Sequence, residues 1–249
     1  MKIDKLRLAE MIARTARNYR TAAIILAAGN STRMGGKINK QLEPVCNAPV
    51  LAHTLMAYQN CKLIEEIVVV TRPQDFDAVF AIAKDYGITK LHHIVAGGST
   101  RQESAKRGMS KLDPAIRYVA IADGARCLIT PMQIAKVCLR AYRYQAASAA
   151  HQISDTVKRT TATGMVKETV DRNNLWQAQT PQIFHTSLYT AALMRADSDH
   201  FQVTDDNSLI EHLGYQVRMV ECGRENIKIT TKEDLPLAEA ILTYRSAKK

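Results

Sequence analysis

The 249-residue sequence has few of the features that mark several large classes of protein. Aromatic residues make up only 6% of the chain, which is few for the base-stacking surfaces that bind single-stranded nucleic acids. No apolar stretch approaches the ~18 residues that a membrane-spanning helix needs, and the N-terminus lacks the continuous apolar core of a signal peptide. We therefore expect a protein that binds neither nucleic acid nor membranes.

The five cysteines do not form the patterns that metal-binding or disulfide-rich proteins show. Their number is odd, and no two of them have the C-x-x-C spacing of zinc-binding or thioredoxin-like motifs. We therefore expect reduced thiols and a cytoplasmic location. The cysteines are Cys46, Cys61, Cys127, Cys138 and Cys222.

Positive charge is unevenly distributed along the chain, whose net charge is +10 at pH 7. Residues 1–20 contain six basic and two acidic residues, and we expect them to form a basic helical extension. No Pro-, Gly- or Ser-rich linker divides the remainder, so residues 21–249 are expected to form one domain. The moderate positive charge of residues 21–249 is typical of a protein that binds a small polyanion, such as a nucleotide or a phosphorylated substrate. Nucleic-acid binding is an alternative, and it predicts an affinity that falls steeply with salt.

Short apolar segments alternate with segments of helical periodicity from residue 21 to residue 152. Strands are expected at residues 21–25, 67–70, 92–96, 118–122 and 147–152, with helices between most of them. This alternation is typical of an α/β protein with a doubly wound, mostly parallel sheet. In such sheets ligands bind beyond the carboxyl ends of the strands.

Two segments differ from this alternation. Residues 153–180 alternate Thr, Val and charged residues without a helical face, which predicts a β-rich arm that protrudes from the domain. Near the C-terminus, Ile227 and Ile229 flank Lys228, and this alternation predicts a further short strand.

A glycine-rich, basic loop follows the first predicted strand. Residues 26–41 read L-A-A-G-N-S-T-R-M-G-G-K-I-N-K-Q, and their spacing fits neither a Walker A loop nor a dinucleotide-binding fingerprint. Glycine lets the backbone N–H groups approach an anion, while Arg33 and Lys40 supply positive charge. The loop therefore predicts a polyphosphate site.

A single acidic residue, Asp123, ends the apolar segment Ile121-Ala122. A carboxylate at a strand end can bind Mg²⁺, which prefers oxygen ligands and completes its coordination with nucleotide phosphates and water. The alternative is an ordinary loop aspartate that caps a turn. We expect the loop after the first strand, Gly97-Gly98 and Asp123 to meet in one cleft, because each follows a predicted strand.

Several motifs together resemble the 2-C-methyl-D-erythritol 4-phosphate cytidylyltransferase family. The resemblance covers roughly residues 21–242 and implies a Rossmann-like nucleotidyltransferase fold. Its motifs are L-A-A-G-x-x-x-R-M with a following lysine, G-G-x-x-R-x-x-S at residues 97–104, D-T-x-K at 155–158, T-V-D-R-x-x-L-W-x-A-x-T-P-Q at 169–182, T-D at 204–205 and N-I-K-I-T at 226–230.

The resemblance also implies roles for individual residues. The catalytic residues would be Arg33, Lys40, Arg172 and Lys228. The nucleotide-binding residues would be Ala27, Ala28, Gly29, Asn30, Ser31, Lys40, Gly98, Ser104 and Asp123. The acceptor-binding residues would be Thr156, Arg172, Arg126, Thr180, Thr204 and Lys228. Asp123 would also bind the Mg²⁺ cofactor.

The implied reaction is the Mg²⁺-dependent transfer of CMP from CTP to 2-C-methyl-D-erythritol 4-phosphate, in non-mevalonate isoprenoid synthesis. The implied assembly is a homodimer in which the arm reaches a second subunit. Two alternatives remain open. The acceptor could be another polyol phosphate, such as ribitol 5-phosphate. The chain could also be a weakly active nucleotide-binding homologue, because Ala122, Gly124 and Cys127 depart from the family's H-D-A-A-R-P pattern.

Overall fold

The computed structural model describes residues 18–29 and 39–248. The strands among these residues are β1 (Thr21–Leu26), β2 (Pro44–Val45), β3 (Ala48–Pro49), β4 (Ile64–Thr71), β5 (Leu91–Ala96), β6 (Tyr118–Asp123), β7 (Ala146–Gln152), β8 (Val157–Thr160), β9 (Val166–Val170), β10 (Trp176–His185) and β11 (Arg218–Glu221). The α-helices are α1 (Val50–Gln59), α2 (Phe76–Asp85), α3 (Arg101–Met109), α4 (Pro131–Tyr144), α5 (Thr186–Ser198), α6 (Asp206–His212) and α7 (Asp234–Ser246), and a short 3₁₀ helix spans Pro73–Asp75.

Seven strands form the central sheet in the order β11-β7-β10-β6-β1-β4-β5. β1 pairs in parallel with both β4 and β6, and β4 pairs in parallel with β5. β10 runs antiparallel to its neighbours β6 and β7, while β11 is parallel to β7. The predicted α/β fold with a mostly parallel sheet is confirmed.

Helices cover both faces of this sheet. Alternate residues of β1 point to opposite faces, so that Ile25 packs with α1, α2 and α4, while Ile24 packs with α3, α5 and α6. Because both faces are covered, the central strands are apolar almost throughout, as buried parallel strands usually are. A third apolar cluster beneath α7 contains Val45, Cys127 and Ile229.

The predicted arm contains a separate antiparallel ribbon made of β8 and β9. Its side chains are largely exposed, including the apolar Met165 and Val166. The expected arm ended at residue 180, but residues from Trp176 onward belong to β10 of the central sheet. Polar residues at the start of β10 resemble those of the arm, and pairing with β7 is a tertiary effect that local pattern does not reveal.

The strand expected at residues 227–229 is absent, so this prediction was wrong. The segment is irregular, and the backbone N–H of Ile229 donates to the carbonyl of Ala125 at 2.8 Å. Ile229 is fully buried in the cluster beneath α7. The apolar alternation therefore reflects packing of a loop against a helix instead of sheet pairing.

Among residues 18–29 and 39–248, no helix is long and apolar enough to cross a membrane. The basic extension predicted for residues 1–20 lies outside the described residues except for its last three. Of these, Tyr19 stacks on Tyr142 with ring centroids 4.4 Å apart.

Candidate active site

A cleft of about 400 Å³ lies at the carboxyl ends of β1 and β6. Three segments that follow different strands meet there, as the order of a doubly wound sheet predicts. The site residues from the sequence that line this cleft are Ala28, Gly29, Lys40, Gly98, Ser104, Asp123 and Lys228.

The buried carboxylate of Asp123 is the centre of an ion-pair network. Lys228 Nζ lies 3.1 Å and Arg126 Nε 3.3 Å from Oδ2, while a guanidinium nitrogen of Arg101 lies 3.8 Å from Oδ1. Burial by itself would raise the pKa of Asp123, but the charges of Lys228, Arg101 and Arg126 outweigh burial and lower it. Asp123 is therefore ionised at neutral pH and surrounded by positive charge.

A hydroxyl from the neighbouring strand supports the backbone of Asp123. The backbone N–H of Asp123 donates a hydrogen bond of 2.9 Å to Oγ1 of Thr180, a residue of β10 that is 5% exposed. The carbonyl of Thr180 in turn accepts from the amide of Asn226 at 3.0 Å. Thr180 thus lies behind the carboxylate, and its implied contact with an acceptor stays a prediction.

Arg101 is a cleft residue that motif matching missed. It is the first residue of α3, and its guanidinium makes an ion pair with Asp206 as well as approaching Asp123. Asp206 has no exposed surface, and its other carboxylate oxygen accepts from the hydroxyl of Tyr189 at 2.6 Å. The arginine in G-G-x-x-R-x-x-S was the available sequence signal, since a cation at a helix start needs a compensating anion.

The glycines before α3 allow two loops to approach each other closely. A Cβ on Gly97 would lie 2.3 Å from the Cβ of Ala28, in the loop after β1. The N–H of Gly98 donates to Oγ of Ser104 at 3.0 Å, and the hydroxyl of Ser104 donates to the carbonyl of Thr100 at 2.9 Å. Close contact between the two loops therefore depends on the absence of a side chain at residue 97.

The loop after β1 is anchored at both described ends. The N–H of Ala27 donates to the carbonyl of Val70 at 2.7 Å, which extends the pairing of β1 with β4. On the return of the chain, the buried amide of Asn39 donates to Asp75 at 2.9 Å and to the carbonyl of Ala27 at 3.4 Å. The predicted residues Asn30, Ser31 and Arg33 lie outside the described residues.

The departures from the family's H-D-A-A-R-P pattern fit the packing of this chain. Gly124 leaves room for Gln41, because a Cβ at residue 124 would lie 2.2 Å from Oε1 of Gln41. Ala122 and Cys127 are 1% and 3% exposed and pack in apolar clusters. These differences leave the ion pairs of Asp123 intact.

A second cleft of about 490 Å³ adjoins the first. The two share Lys228 and Thr230, so Lys228 lies at their boundary. The guanidinium of Arg126 faces the second cleft and donates to the carbonyl of Asn226 at 2.7 Å. The second cleft is also lined by His151, Gln177 and Arg224, which the sequence reasoning did not select.

Besides Thr180, three residues that the resemblance placed on the acceptor line neither cleft. Thr156 directly precedes the β8–β9 ribbon, Arg172 follows it, and both are exposed. Thr204 is exposed just before α6, whose N-cap is the neighbouring Asp205. Within a single chain, Thr156 and Arg172 therefore do not contribute to the lining of either cleft.

The donor atoms of the cleft fit a divalent metal that binds oxygen. Asp123 supplies one ionised carboxylate at the cleft, whereas Asp206 has no exposed surface and lines neither cleft. Within the described residues no group of three or more His, Cys, Asp or Glu side chains could bind a metal. One carboxylate together with substrate phosphates suits Mg²⁺ better than zinc, which needs three or four protein ligands.

A doubly wound sheet with a cationic cleft around one carboxylate at its carboxyl edge defines an α/β fold of the nucleotidyltransferase class. The chain matches the 2-C-methyl-D-erythritol 4-phosphate cytidylyltransferase family over residues 21–244. A 2-C-methyl-D-erythritol 4-phosphate cytidylyltransferase from Synechococcus sp. (strain WH7803) is 41% identical over 228 residues, which cover 89% of this chain and 99% of the relative. The enzyme of that name from Caldanaerobacter subterraneus subsp. tengcongensis is 39% identical, with coverage of 89% and 98%.

Solved structures agree with the sequence relatives. The 4-diphosphocytidyl-2C-methyl-D-erythritol synthase of Anaerococcus prevotii DSM 20548 has a TM-score of 0.79 at 32% identity, covering 90% of this chain and 98% of that one. The 2-C-methyl-D-erythritol 4-phosphate cytidylyltransferase of Francisella tularensis has a TM-score of 0.72 at 29% identity, covering 88% and 98%. The chain belongs to the 2-C-methyl-D-erythritol 4-phosphate cytidylyltransferase family, as its motifs indicated.

Proposed function

We propose that this protein transfers CMP from CTP to 2-C-methyl-D-erythritol 4-phosphate, which yields 4-diphosphocytidyl-2-C-methyl-D-erythritol and pyrophosphate. The observation that carries this proposal is the ionised Asp123 among three cations at the carboxyl edge of the sheet, in a chain of this family. In-line attack by an acceptor phosphate oxygen on the α-phosphorus of CTP forms one P–O bond. The bond to the β-phosphate breaks, and pyrophosphate leaves.

This reaction asks for positioning and charge neutralisation more than for proton transfer. The second pKa of a phosphate monoester is about 6, so the attacking oxygen is already anionic at neutral pH. Negative charge increases on the oxygens around the α-phosphorus in the transition state. Preorganised cations in a sheltered cleft stabilise this charge, and Lys40 and Lys228 both line the cleft.

The first cleft would bind CTP. The N-terminus of α3 presents backbone N–H groups near Gly98 and Ser104, which we assign to the nucleoside. Lys40, with Arg33 from the same loop, would contact the triphosphate. Asp123 would hold Mg²⁺, which when bound neutralises charge on the phosphate oxygens.

The second cleft would bind the acceptor. Arg126 lines it and Lys228 stands at its boundary with the first cleft, so both could contact the acceptor phosphate beside the α-phosphorus. We further propose that Arg172 and Thr156 reach the cleft of a second copy of the chain in a homodimer. Their exposed positions at the base of the β8–β9 ribbon support this arrangement.

The reaction is tested by pyrophosphate release with CTP, UTP or ATP in the presence of Mg²⁺ and each of several polyol phosphates. We expect turnover with CTP and 2-C-methyl-D-erythritol 4-phosphate and much less with the other pairs. Faster turnover with ribitol 5-phosphate would show that this polyol phosphate is the acceptor instead. Failure of every pair to react would reject the enzymatic proposal in favour of a nucleotide-binding homologue.

A further inference from the structure

A largely buried ion pair connects the cleft to the α5–α6 side of the sheet, since Asp206 has no exposed surface and the side chain of Arg101 is 26% exposed. The guanidinium of Arg101 lies between Asp123, at the end of β6, and Asp206, at the start of α6. Burying such a pair costs desolvation energy, and replacing one with apolar residues is often neutral or stabilising. Stability alone therefore does not explain why this position carries charges.

Asp206 is held by three different elements. Its second carboxylate oxygen accepts from Tyr189 of α5 at 2.6 Å. Its backbone N–H donates to Oε1 of Gln182 of β10 at 2.9 Å, and the amide of the same Gln182 donates to Asp205 at 2.9 Å. With each oxygen and the backbone engaged, Asp206 is a rigid anchor for Arg101.

β10 also connects to Asp123, through the backbone. Gln182 pairs with Ile121, two residues before Asp123, and Thr180 on the same strand accepts from the backbone N–H of Asp123. Arg101 restrains Oδ1 from one side, while Lys228 and Arg126 contact Oδ2. Of the three cations that pair with Asp123 in the part of the chain that the structure describes, Arg101 also pairs with a second buried carboxylate, that of Asp206.

We propose that Arg101 is a positioning residue for Asp123 and that Asp206, held by Tyr189 and Gln182, fixes Arg101 in place. Lys40 and Lys228 meet the substrates, whereas Arg101 directs the carboxylate toward them. A change at Asp206 should therefore weaken nucleotide binding and turnover although Asp206 itself contacts no substrate. This inference rests on the proposed use of Asp123 in CTP binding.

The test compares Asp206→Asn with Asp197→Asn. Asp197 accepts from Gln102 at 3.0 Å and pairs with Lys106, so this control removes a charge that links α5 to α3 at the surface, away from the cleft. We expect Asp206→Asn to weaken CTP binding in calorimetry about 10-fold and to lower kcat about 10-fold as well, whereas Asp197→Asn leaves both near wild type. Rates are corrected for the folded fraction measured by circular dichroism.

Two further variants separate positioning from folding. Tyr189→Phe keeps the ring that stacks on Phe184 but loses the hydroxyl bound to Asp206, and we expect a change of about 3-fold in the same direction. Arg101→Lys keeps the positive charge but loses the guanidinium group whose separate nitrogens reach Asp123 and Asp206. Its CTP affinity and kcat should therefore resemble those of Asp206→Asn.

Calorimetry distinguishes this inference from the proposed reaction, because CTP binding is measurable whichever acceptor the enzyme uses. Weakened CTP binding in Asp206→Asn, Tyr189→Phe and Arg101→Lys, with the control unaffected, supports the inference. CTP affinity equal to wild type in the folded Asp206→Asn and Arg101→Lys proteins would overturn it, even if wild-type turnover were normal.

Discussion

The two halves of the proposed active site are built differently. Among the described residues, the half that we assign to the nucleotide is organised around Asp123, whose carboxylate pairs with Lys228, Arg126 and Arg101. The acceptor half contains Arg126 and Lys228, but Arg172 is exposed at the base of a ribbon and does not reach it. We therefore propose that one chain carries a preorganised nucleotide site and that a second chain completes its acceptor site.

The two halves therefore differ in how firmly their charged side chains are held. Charge stabilisation is most effective when the charges are fixed before the reaction, and buried ion pairs on a sheet edge provide such rigidity. Residues on an exposed ribbon can instead complete the site when another subunit or the substrate arrives. The following variants test each half in turn.

Replacing Asp123 should have the largest effect on turnover. Asp123→Asn removes the negative charge that we propose binds Mg²⁺. It also leaves three neighbouring cations without their shared partner, so we expect kcat to fall by about 10³-fold. Pyrophosphate release at saturating CTP measures the loss. Asp197→Asn serves as the matched change at the surface, and a similar kcat in both variants would contradict the role of Asp123.

Replacing Arg172 should come next. Arg172→Ala is expected to lower kcat/KM for the acceptor by about 10²-fold, because a bidentate contact to phosphate is lost. Since Arg172 is exposed, the free energy of unfolding should change by less than about 0.5 kcal/mol. Arg159→Ala, on the same ribbon, is the control, because the side chain of Arg159 pairs with Glu168. An unchanged kcat/KM for the acceptor would remove Arg172 from the site.

Thr180→Val tests whether this residue supports Asp123 or binds the acceptor. The substitution leaves the N–H of Asp123 without its buried partner, which should cost about 1–3 kcal/mol in urea denaturation and lower kcat about 10-fold. A stable variant in which only the KM for the acceptor rises would favour direct acceptor binding instead.

Gly124→Ala should have the smallest effect on turnover. The new Cβ would lie 2.2 Å from Oε1 of Gln41, so we expect a loss of about 1–3 kcal/mol in stability and a change in kcat below about 3-fold. Shortening Gln41 to Ala in the same protein should relieve the clash. If the double variant were no more stable than Gly124→Ala, this packing explanation would be wrong.

Much of the fold follows from local sequence pattern. The buried strands β1 and β6 and residues 67–70 of β4 are largely apolar segments, and helix α4 shows a clear apolar face, so these elements appear in the expected places. β10 was missed in part because Gln177, Ala178 and Gln179 near its start do not form an apolar segment. Its position between β6 and β7 depends on pairing between distant parts of the chain.

The site was predictable where a motif supplies a side chain directly, as with Asp123 and Lys228. It was not predictable where the partner is remote in sequence. Arg101 and Asp206 are 105 residues apart, and only the fold shows that they form a pair. The backbone support from Thr180 is hidden for the same reason, because the motif suggested a substrate contact.

Mixing two inactive variants tests most directly whether a second chain completes the acceptor half. Asp123→Asn disables the nucleotide half of its own chain, and Arg172→Ala removes the residue that we propose a chain supplies to its partner. In a mixed dimer the Arg172→Ala chain therefore keeps Asp123 and receives an intact Arg172 from the other chain, which makes one intact site. After co-refolding equal amounts, we predict recovery of about a quarter of wild-type pyrophosphate release, as random pairing of two subunits requires. A mixture no more active than the average of the separate variants would contradict the account and place Arg172 in its own chain's site or outside any site.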